Sequence, residues 1–134
     1  MIKHNSYWAE KSEDFTQLVF KILANDEWIS FSEAVILASK KPAKKFYVGL
    51  YQAMRYVSML DRGKALPLKN ANKIALYEEL YKRFVEYRNE RKSMGINTVL
   101  YSEIEDIINS PAPCFYEDVE CLRKRCYFYL NIKK

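Results

Sequence analysis

Apolar residues recur along most of this chain with the spacing of amphipathic helices. Side chains at positions i, i+3, i+4 and i+7 share one helical face, and this rhythm marks six segments. The pattern therefore predicts an all-α protein of six helices. The first helix is expected over 12–25, with Ser6 as an alternative start. The second is expected to end around Lys41 and the third at 61–63. The fourth and longest is expected from Asn70 to about Arg91.

Local signals at the helix ends support these limits. Ser30 and Glu33 have the spacing of a capping box, in which each side chain accepts a hydrogen bond from the other residue's backbone N–H. Pro42 disfavours helical geometry at the preceding residue and so predicts the end of the second helix. Gly63 suits the left-handed conformation that follows a helix C-terminus. The other predicted caps are Gly49 for the third helix, Asn70 for the fourth, Asn97, Thr98 or Ser102 for the fifth, and Asp118 for the sixth.

A six-residue motif, PAxxFY, occurs twice, at 42–47 and 111–116. When the copies are superposed at a spacing of 69 residues, apolar positions on both sides of the motif coincide. The upstream helices coincide at a spacing of 62, and the longer polar stretch 88–95 explains the difference, because exposed connections tolerate added residues. The pattern predicts an internal duplication. The expected fold is a single compact domain over 1–134 with two tandem three-helix units, about 12–60 and 70–130, each running helix, helix, extended PAxxFY bridge, helix.

The aromatic pairs of the motif have two candidate roles. Phe46 and Tyr47, with Phe115 and Tyr116 in the second copy, can supply large side chains for a core between helices. Alternatively, they are exposed platforms on which nucleic-acid bases stack. Packing is the favoured interpretation, because aromatic residues at such positions most often belong to a core.

Composition favours a cytoplasmic protein without a metal or cofactor. No stretch approaches the ~20 apolar residues of a membrane span, and the first residues lack the apolar core of a secretion signal. Cys114, Cys121 and Cys126 are odd in number and have no counterparts in the other repeat, which argues against a disulfide framework or a zinc site. The single histidine, His4, lies near the terminus and cannot complete a Cys/His cluster.

Two acidic clusters are the only candidates for metal-assisted chemistry, Glu78 with Glu79 and Glu103 with Glu105 and Asp106. No histidine or well-spaced acid completes either cluster, and both suit exposed helix faces. The sequence has neither a glycine-rich phosphate loop nor a nucleophile elbow. We therefore predict no catalytic residue and a non-enzymatic protein.

Positive charge is concentrated between Lys40 and Lys73, where nine basic residues accompany one acidic residue, a net charge of +8. Because the whole chain carries +5, the remainder sums to −3, an asymmetry typical of a protein with an anionic partner. The alternative is that these are ordinary solvated side chains near helix ends. The predicted nucleic-acid-binding residues are Lys40, Lys41, Lys44, Lys45, Gln52, Arg55, Arg62, Lys64, Lys69 and Lys73.

Two helices are expected to present this surface. On the third helix, Tyr51, Gln52, Arg55 and Ser58 fall on the less apolar side, where they can reach base edges or phosphates. The sixth helix offers a second patch of Arg123, Lys124, Arg125, Lys133 and Lys134. The connection of about eight residues before the third helix is longer than the turn of a DNA-reading helix-turn-helix, so that docking geometry is not expected.

The run PAKKFYVGLYQAMRYVSML, followed by DRGKALPL, a long helix and NSPAPCFYEDVECLRKRCYFYL, resembles a family of small uncharacterised proteins from Bacteroidales bacteria and their phages. The similarity covers about Ser30 to Leu130, with Gly49 and Asp118 standing where a Ser or Thr cap is expected. The resemblance implies origin in a phage or mobile element and carries over no activity or cofactor.

Two functional hypotheses follow, with a catalytic role behind both. The first is a nucleic-acid-binding regulator or accessory factor, with DNA favoured over RNA. The second is a protein-interaction module, either a virion component or an inhibitor of a host protein. No membrane partner is expected, and the sequence leaves the oligomeric state open.

Overall fold

The computed structural model describes residues 5–97 and 99–133, and in this part of the chain the regular structure is six α-helices with one isolated β-bridge. The predicted all-α class is therefore confirmed. The helices are α1 (Asn5–Asn25), α2 (Phe31–Ser39), α3 (Leu50–Asp61), α4 (Ala71–Ser93), α5 (Leu100–Ile108) and α6 (Val119–Lys133).

The six helices form two compact units that do not follow the order of the chain. The first unit contains α1, α2 and α6 together with both PAxxFY segments, and the second, Val48–Ser110, contains α3, α4 and α5. Each unit therefore combines two helices from one predicted repeat with the third helix of the other. This grouping differs from the tandem arrangement expected from the sequence.

The core of the first unit is built on apolar stripes of its three helices. Phe15 and Val19 of α1 are fully buried, as are Leu122 and Cys126 of α6. Helix α2 contributes small side chains that allow close approach of the helices. The buried residues of α2 are Ala34, Val35 and Ala38.

The core of the second unit contains larger side chains than α2 contributes to the first, and two of them are tyrosines. The ring of Tyr56 from α3 meets the ring of Tyr77 from α4 edge to face, with centroids 4.7 Å apart. Burial raises the pKa of Tyr77 to about 12, so its hydroxyl stays protonated at neutral pH. The remaining buried apolar residues are Ala53 and Val57 of α3, Leu76, Leu80 and Phe84 of α4, and Ile104, Ile107 and Ile108 of α5.

Most of the predicted helix ends are confirmed. Gly49 and Asn70 are the N-caps of α3 and α4, and the Asn70 side chain accepts a hydrogen bond from the Lys73 N–H. Gly63 adopts φ +74° after α3, and the next N–H, that of Lys64, donates to the Met59 carbonyl to close the helix. Helix α6 begins at Val119, directly after the predicted cap Asp118.

The alternative start of α1 is confirmed, and the predicted start of α5 was wrong. Helix α1 begins at Asn5, one residue before the alternative start Ser6 and seven before residue 12. The N-cap of α5 is Val99, which has no side-chain acceptor, rather than Asn97 or Ser102. The third candidate for that cap, Thr98, lies outside the described residues, as does His4.

The two PAxxFY segments pair with each other at equivalent positions. Ala43 and Ala112 form an antiparallel β-bridge in which each N–H donates to the other carbonyl at 2.9 Å. Both alanines are buried, so a larger side chain would separate the two backbones. Their small size is therefore what the bridge requires.

Three of the four aromatic residues of the motif, Phe46, Tyr47 and Phe115, are buried in the first unit, which confirms the packing interpretation, and Tyr116 is half-buried. The ring of Phe46 stacks with Tyr116 at 6.2 Å, and Tyr47 stacks with Phe115 at 6.1 Å. Tyr47 and Tyr116 adopt φ values of 56° and 55°, so the bridge is not extended through its last residue as predicted. This left-handed conformation is costly for a residue with a side chain, and the stacked rings hold it in place.

The capping box of α2 gives a first testable prediction. The Ser30 side chain accepts a hydrogen bond from the Glu33 N–H at 3.1 Å, and the Glu33 carboxylate accepts one from the Ser30 N–H at 2.9 Å. Replacing Ser30 with alanine is expected to lower the free energy of unfolding by about 1 kcal/mol. Urea denaturation measures the loss, and Ser32→Ala, an exposed serine two residues later, is the matched control. An equal loss in the two variants would contradict the capping role.

Candidate nucleic-acid interface

The outer face of α3 in the second unit carries an exposed aromatic residue beside a cation. Tyr51 is 78% exposed, and Arg55 lies one helical turn further on the same face. The Arg55 guanidinium lies over the ring of the buried Tyr56, 5.5 Å from its centroid, which holds the cation at the surface. Gln52, also exposed, donates a hydrogen bond to the Tyr56 hydroxyl at 3.3 Å. The face can therefore offer a ring, a cation and an amide to a partner.

Four further cations follow where α3 ends and α4 begins. The Arg62 Nε donates to the Ser58 carbonyl at 3.3 Å, and its terminal nitrogens form no hydrogen bond or ion pair with the residues that the structure describes. Lys64, Lys69 and Lys73 are exposed, and all three lie on the connection or in the first turn of α4. Asp61 is the acidic residue in this stretch, and it already accepts a hydrogen bond from Tyr81. Positive charge is therefore in excess here.

The predicted lysines of the first unit divide into two kinds. Lys40 and Lys41 are exposed after the end of α2. Lys45 pairs with Glu10 at 3.1 Å, and Lys44 lies 3.7 Å from Asp14, so their charges are partly balanced within the unit. Asp14 also accepts a short hydrogen bond from the Tyr47 hydroxyl, and burial together with that carboxylate raises the pKa of Tyr47.

Seven of the nine predicted cations thus form no ion pair with any residue that the structure describes. Two of them belong to the first unit and five to the second. The seven are Lys40, Lys41, Arg55, Arg62, Lys64, Lys69 and Lys73.

The second predicted patch, on α6, is wrong for one of its members. Arg125 points inward, where its Nε lies 2.7 Å from Glu117 and a terminal nitrogen lies 3.0 Å from the Ser12 hydroxyl. Arg123 pairs with Glu120 one turn earlier on the same helix. Lys124 is exposed as expected. The Lys133 side chain and all of Lys134 lie outside the described residues.

A buried ion cluster therefore occupies the position expected for the patch. The Lys11 ammonium lies 2.5 Å from the Glu117 carboxylate that also holds Arg125. Burial lowers the pKa of Lys11, against the raising effect of Glu117. Taking two cations and the half-buried Glu117 carboxylate out of water is costly, so this cluster fixes the packing of α1 against α6 more than it adds stability.

Glu103 was predicted to lie on an exposed helix face, and this prediction is wrong. Its side chain is 2% exposed, and neither carboxylate oxygen has a hydrogen-bond partner among the described residues. The nearest cation is Arg88, whose guanidinium nitrogen lies 3.8 Å away, beyond hydrogen-bonding distance. The other acids of its cluster, Glu105 and Asp106, are exposed as predicted.

Arg88 lies at the edge of a cavity of about 490 Å³ within the second unit. Its guanidinium lies flat over Phe84, 4.1 Å from the ring centroid, and 3.8 Å from an Asp61 oxygen. No hydrogen bond within 3.5 Å uses its N–H groups in the described part of the chain. The cavity is lined by Ser58, Asp61, Arg62, Phe84, Arg88 and Leu100.

Sequence reasoning did not single out Arg88 or the burial of Glu103. The signal for Glu103 was present, because it lies four residues before Ile107 on the apolar stripe of α5. Nothing comparable marks Arg88, which lies in the polar stretch near the end of α4.

Within residues 5–97 and 99–133, no group of three or more His, Cys, Asp or Glu side chains is placed to hold a metal ion. None of the helices in that part of the chain is both long and apolar enough to cross a membrane. Comparisons with models of protein families, with curated proteins and with solved structures found no match to this chain.

Proposed function

We propose that the protein is a non-enzymatic nucleic-acid-binding protein, a regulator or accessory factor of a phage or mobile element. The observation that carries this proposal is the set of seven exposed cations without ion-pair partners among the described residues. An exposed cation that pairs with no carboxylate keeps its full charge for a partner. Nucleic-acid phosphates are the commonest partners for such clusters, and DNA is favoured over RNA.

The second unit supplies most of the binding. Arg55 and Arg62 can hydrogen-bond phosphate oxygens through their free N–H groups, and the lysines act as point charges beside them. Each phosphate contact releases condensed counterions, so binding weakens steeply with salt. Lys44 and Lys45, although predicted as ligands, contribute less because they first have to leave Asp14 and Glu10.

Salt-dependent binding is the test. Fluorescence anisotropy with labelled DNA and RNA, single-stranded and duplex, gives the dissociation constant at several salt concentrations. The variant with Arg55, Lys64, Lys69 and Lys73 all changed to glutamine is expected to bind weakly at all salt concentrations. Its slope in log affinity against log salt is expected to fall by about 3.6, since each of the four lost duplex phosphate contacts contributes about 0.9.

A control variant removes charge elsewhere. Lys21, Lys82 and Lys92 are exposed, so their change to glutamine subtracts three charges without touching either predicted patch. This control is expected to keep most of the slope. Equal losses in both variants, or wild-type binding that does not respond to salt, would show that these cations form no nucleic-acid surface.

A protein partner is the alternative function, and exposed apolar side chains on the first unit favour it. Trp28 is 89% exposed in the turn after α1, and Ile36 and Leu37 are exposed on α2. Scattered apolar residues are normal on a surface, whereas a contiguous patch marks an interface. Absence of nucleic-acid binding at low salt, together with saturable capture of a phage or host protein that Trp28→Ala abolishes, would establish this alternative.

We also infer that the chain arose by duplication of a three-helix module. Support comes from the two PAxxFY segments, which share a left-handed tyrosine at the same position and pair through equivalent alanines. The buried positions correspond as well, Ala53 and Val57 of α3 with Leu122 and Cys126 of α6. The four residues are matched at the spacing of 69.

A further inference from the structure

We propose that the cavity of the second unit takes one unpaired base of a bound single strand. This inference rests on the proposed function and adds to it the kind of nucleic acid that binds. A volume of about 490 Å³ lies within the range of small-ligand sites, and the lining combines apolar walls with polar groups. Leu100 supplies the apolar contact, because Phe84 is 1% exposed and lies beneath the Arg88 guanidinium.

The polar groups of the cavity match the edge of a base. Arg62 and Arg88 have free N–H donors, and Ser58 adds a hydroxyl. Asp61 supplies acceptor oxygens on the same wall. Base edges present acceptors beside donors, and an arginine fork is well suited to the paired acceptors of a purine. Because Asp61 and Glu103 each lie 3.8 Å from Arg88, the charge of Arg88 is offset within the unit, and the part of the site beside it suits an uncharged ring better than an anion.

The guanidinium of Arg88 is positioned to donate hydrogen bonds to a base. Stacking on Phe84 fixes its plane, yet its nitrogens lie 3.8 Å from both Asp61 and Glu103, too far to hydrogen-bond either carboxylate. Donors left unused at the edge of a cavity favour a ligand that accepts hydrogen bonds.

The outer face of α3 leads directly to this cavity. Tyr51, Arg55, Ser58 and Arg62 follow the spacing i, i+4, i+7 and i+11, so they form one stripe along the helix. The stripe extends roughly 16 Å at 1.5 Å per residue. The last two members of the stripe, Ser58 and Arg62, also line the cavity. A strand can therefore stack one base on the exposed Tyr51 ring, place a phosphate at Arg55 and reach the cavity with a further base. Stacking and cavity binding both require bases released from a duplex.

The experiment compares two labelled single strands of six nucleotides, one intact and one with every base removed, so that the phosphate number is constant. Fluorescence anisotropy at low salt gives the ratio of their dissociation constants. The intact strand is expected to bind about a hundredfold more tightly, at about tenfold for each of two base contacts. Arg62→Gln and Ser58→Ala are each expected to lower that ratio about fivefold.

Arg55→Gln is the matched control on the same stripe. It removes a phosphate contact outside the cavity, so it is expected to weaken both strands by the same factor and leave the ratio unchanged. Thermal unfolding of each variant checks the fold, and Arg62 is exposed, so its replacement leaves the core intact.

Three outcomes separate this inference from the proposed function. If both strands bind but Arg62→Gln and Ser58→Ala leave the ratio unchanged, the cavity takes no base and the proposed function stands. If neither strand nor a duplex binds at low salt, the proposed function itself fails. If a free nucleoside binds as tightly as the intact strand, and Arg62→Gln abolishes its binding, the rest of the strand contributes nothing, the ligand is a free nucleoside and the assignment to a strand is overturned.

Discussion

Replacing Phe115 with alanine is expected to lower the free energy of unfolding by about 4 kcal/mol. Phe115 is 4% exposed, and its ring meets Phe15 of α1 edge to face at 5.0 Å as well as stacking on Tyr47. Truncation removes these contacts and leaves a cavity that the alanine bridge beside it cannot fill. Small proteins have a total stability of about 5–15 kcal/mol, so urea denaturation is expected to show a large loss.

Two comparisons make this prediction specific. Phe46 is the equivalent residue of the other PAxxFY segment and is also buried, so Phe46→Ala is expected to cost about as much. Phe20 on α1 is 44% exposed, and Phe20→Ala is expected to cost less than about 1 kcal/mol. If Phe115→Ala lost no more stability than Phe20→Ala, the motif would not be a core element.

Local features of this fold could be predicted from the sequence because each depends on a few neighbouring residues. The capping box at Ser30, the left-handed Gly63 and the N-cap Asn70 are read from residue types at fixed short spacings. The burial of Phe46 and Phe115 followed from their size and apolar character. The missing cap at Val99 shows the limit, since packing of the α5 stripe sets that helix start without a side-chain cap.

The grouping of the helices could not be predicted, for a physical reason. An apolar stripe indicates which face of a helix is buried but not which helix covers it. Buried positions on α3 and α6 correspond, Ala53 with Leu122 and Val57 with Cys126, so either helix has a stripe that could complete the core formed by α1 and α2. The two PAxxFY segments that pair antiparallel lie far apart in the sequence, so no local pattern predicts their pairing.

The candidate site was predicted in outline and missed in detail. Charge counting found the cations, and the structure places seven of them at the surface without ion-pair partners among the described residues. Charge counting could not predict the pairing of Lys45 with Glu10 or the inward position of Arg125, because both depend on contacts between distant segments. The same limit hid the cavity beside Arg88.

The buried carboxylate of Glu103 gives the second large prediction. Replacing Arg88 with methionine is expected to lower the free energy of unfolding by about 2 kcal/mol, because it leaves a buried charge without a cation. The figure lies below the usual cost of breaking a buried pair, since Arg88 is partly exposed and 3.8 Å away. Loss of its contact with the exposed Asp61 adds little.

Replacing Glu103 with methionine is expected to raise the free energy of unfolding by about 1 kcal/mol. The same new side chain at Arg88 is expected to lower it. A buried carboxylate without hydrogen bonds costs more than an apolar group of similar size, although the loss of an acid from the first turn of α5 offsets part of the gain. In the Glu103→Met background, Arg88→Met is expected to cost less than about 1 kcal/mol, because no buried charge then remains. Urea denaturation of the four proteins in this double-mutant cycle measures the coupling. Additive losses would mean that Arg88 stabilises the unit through its stacking on Phe84 alone.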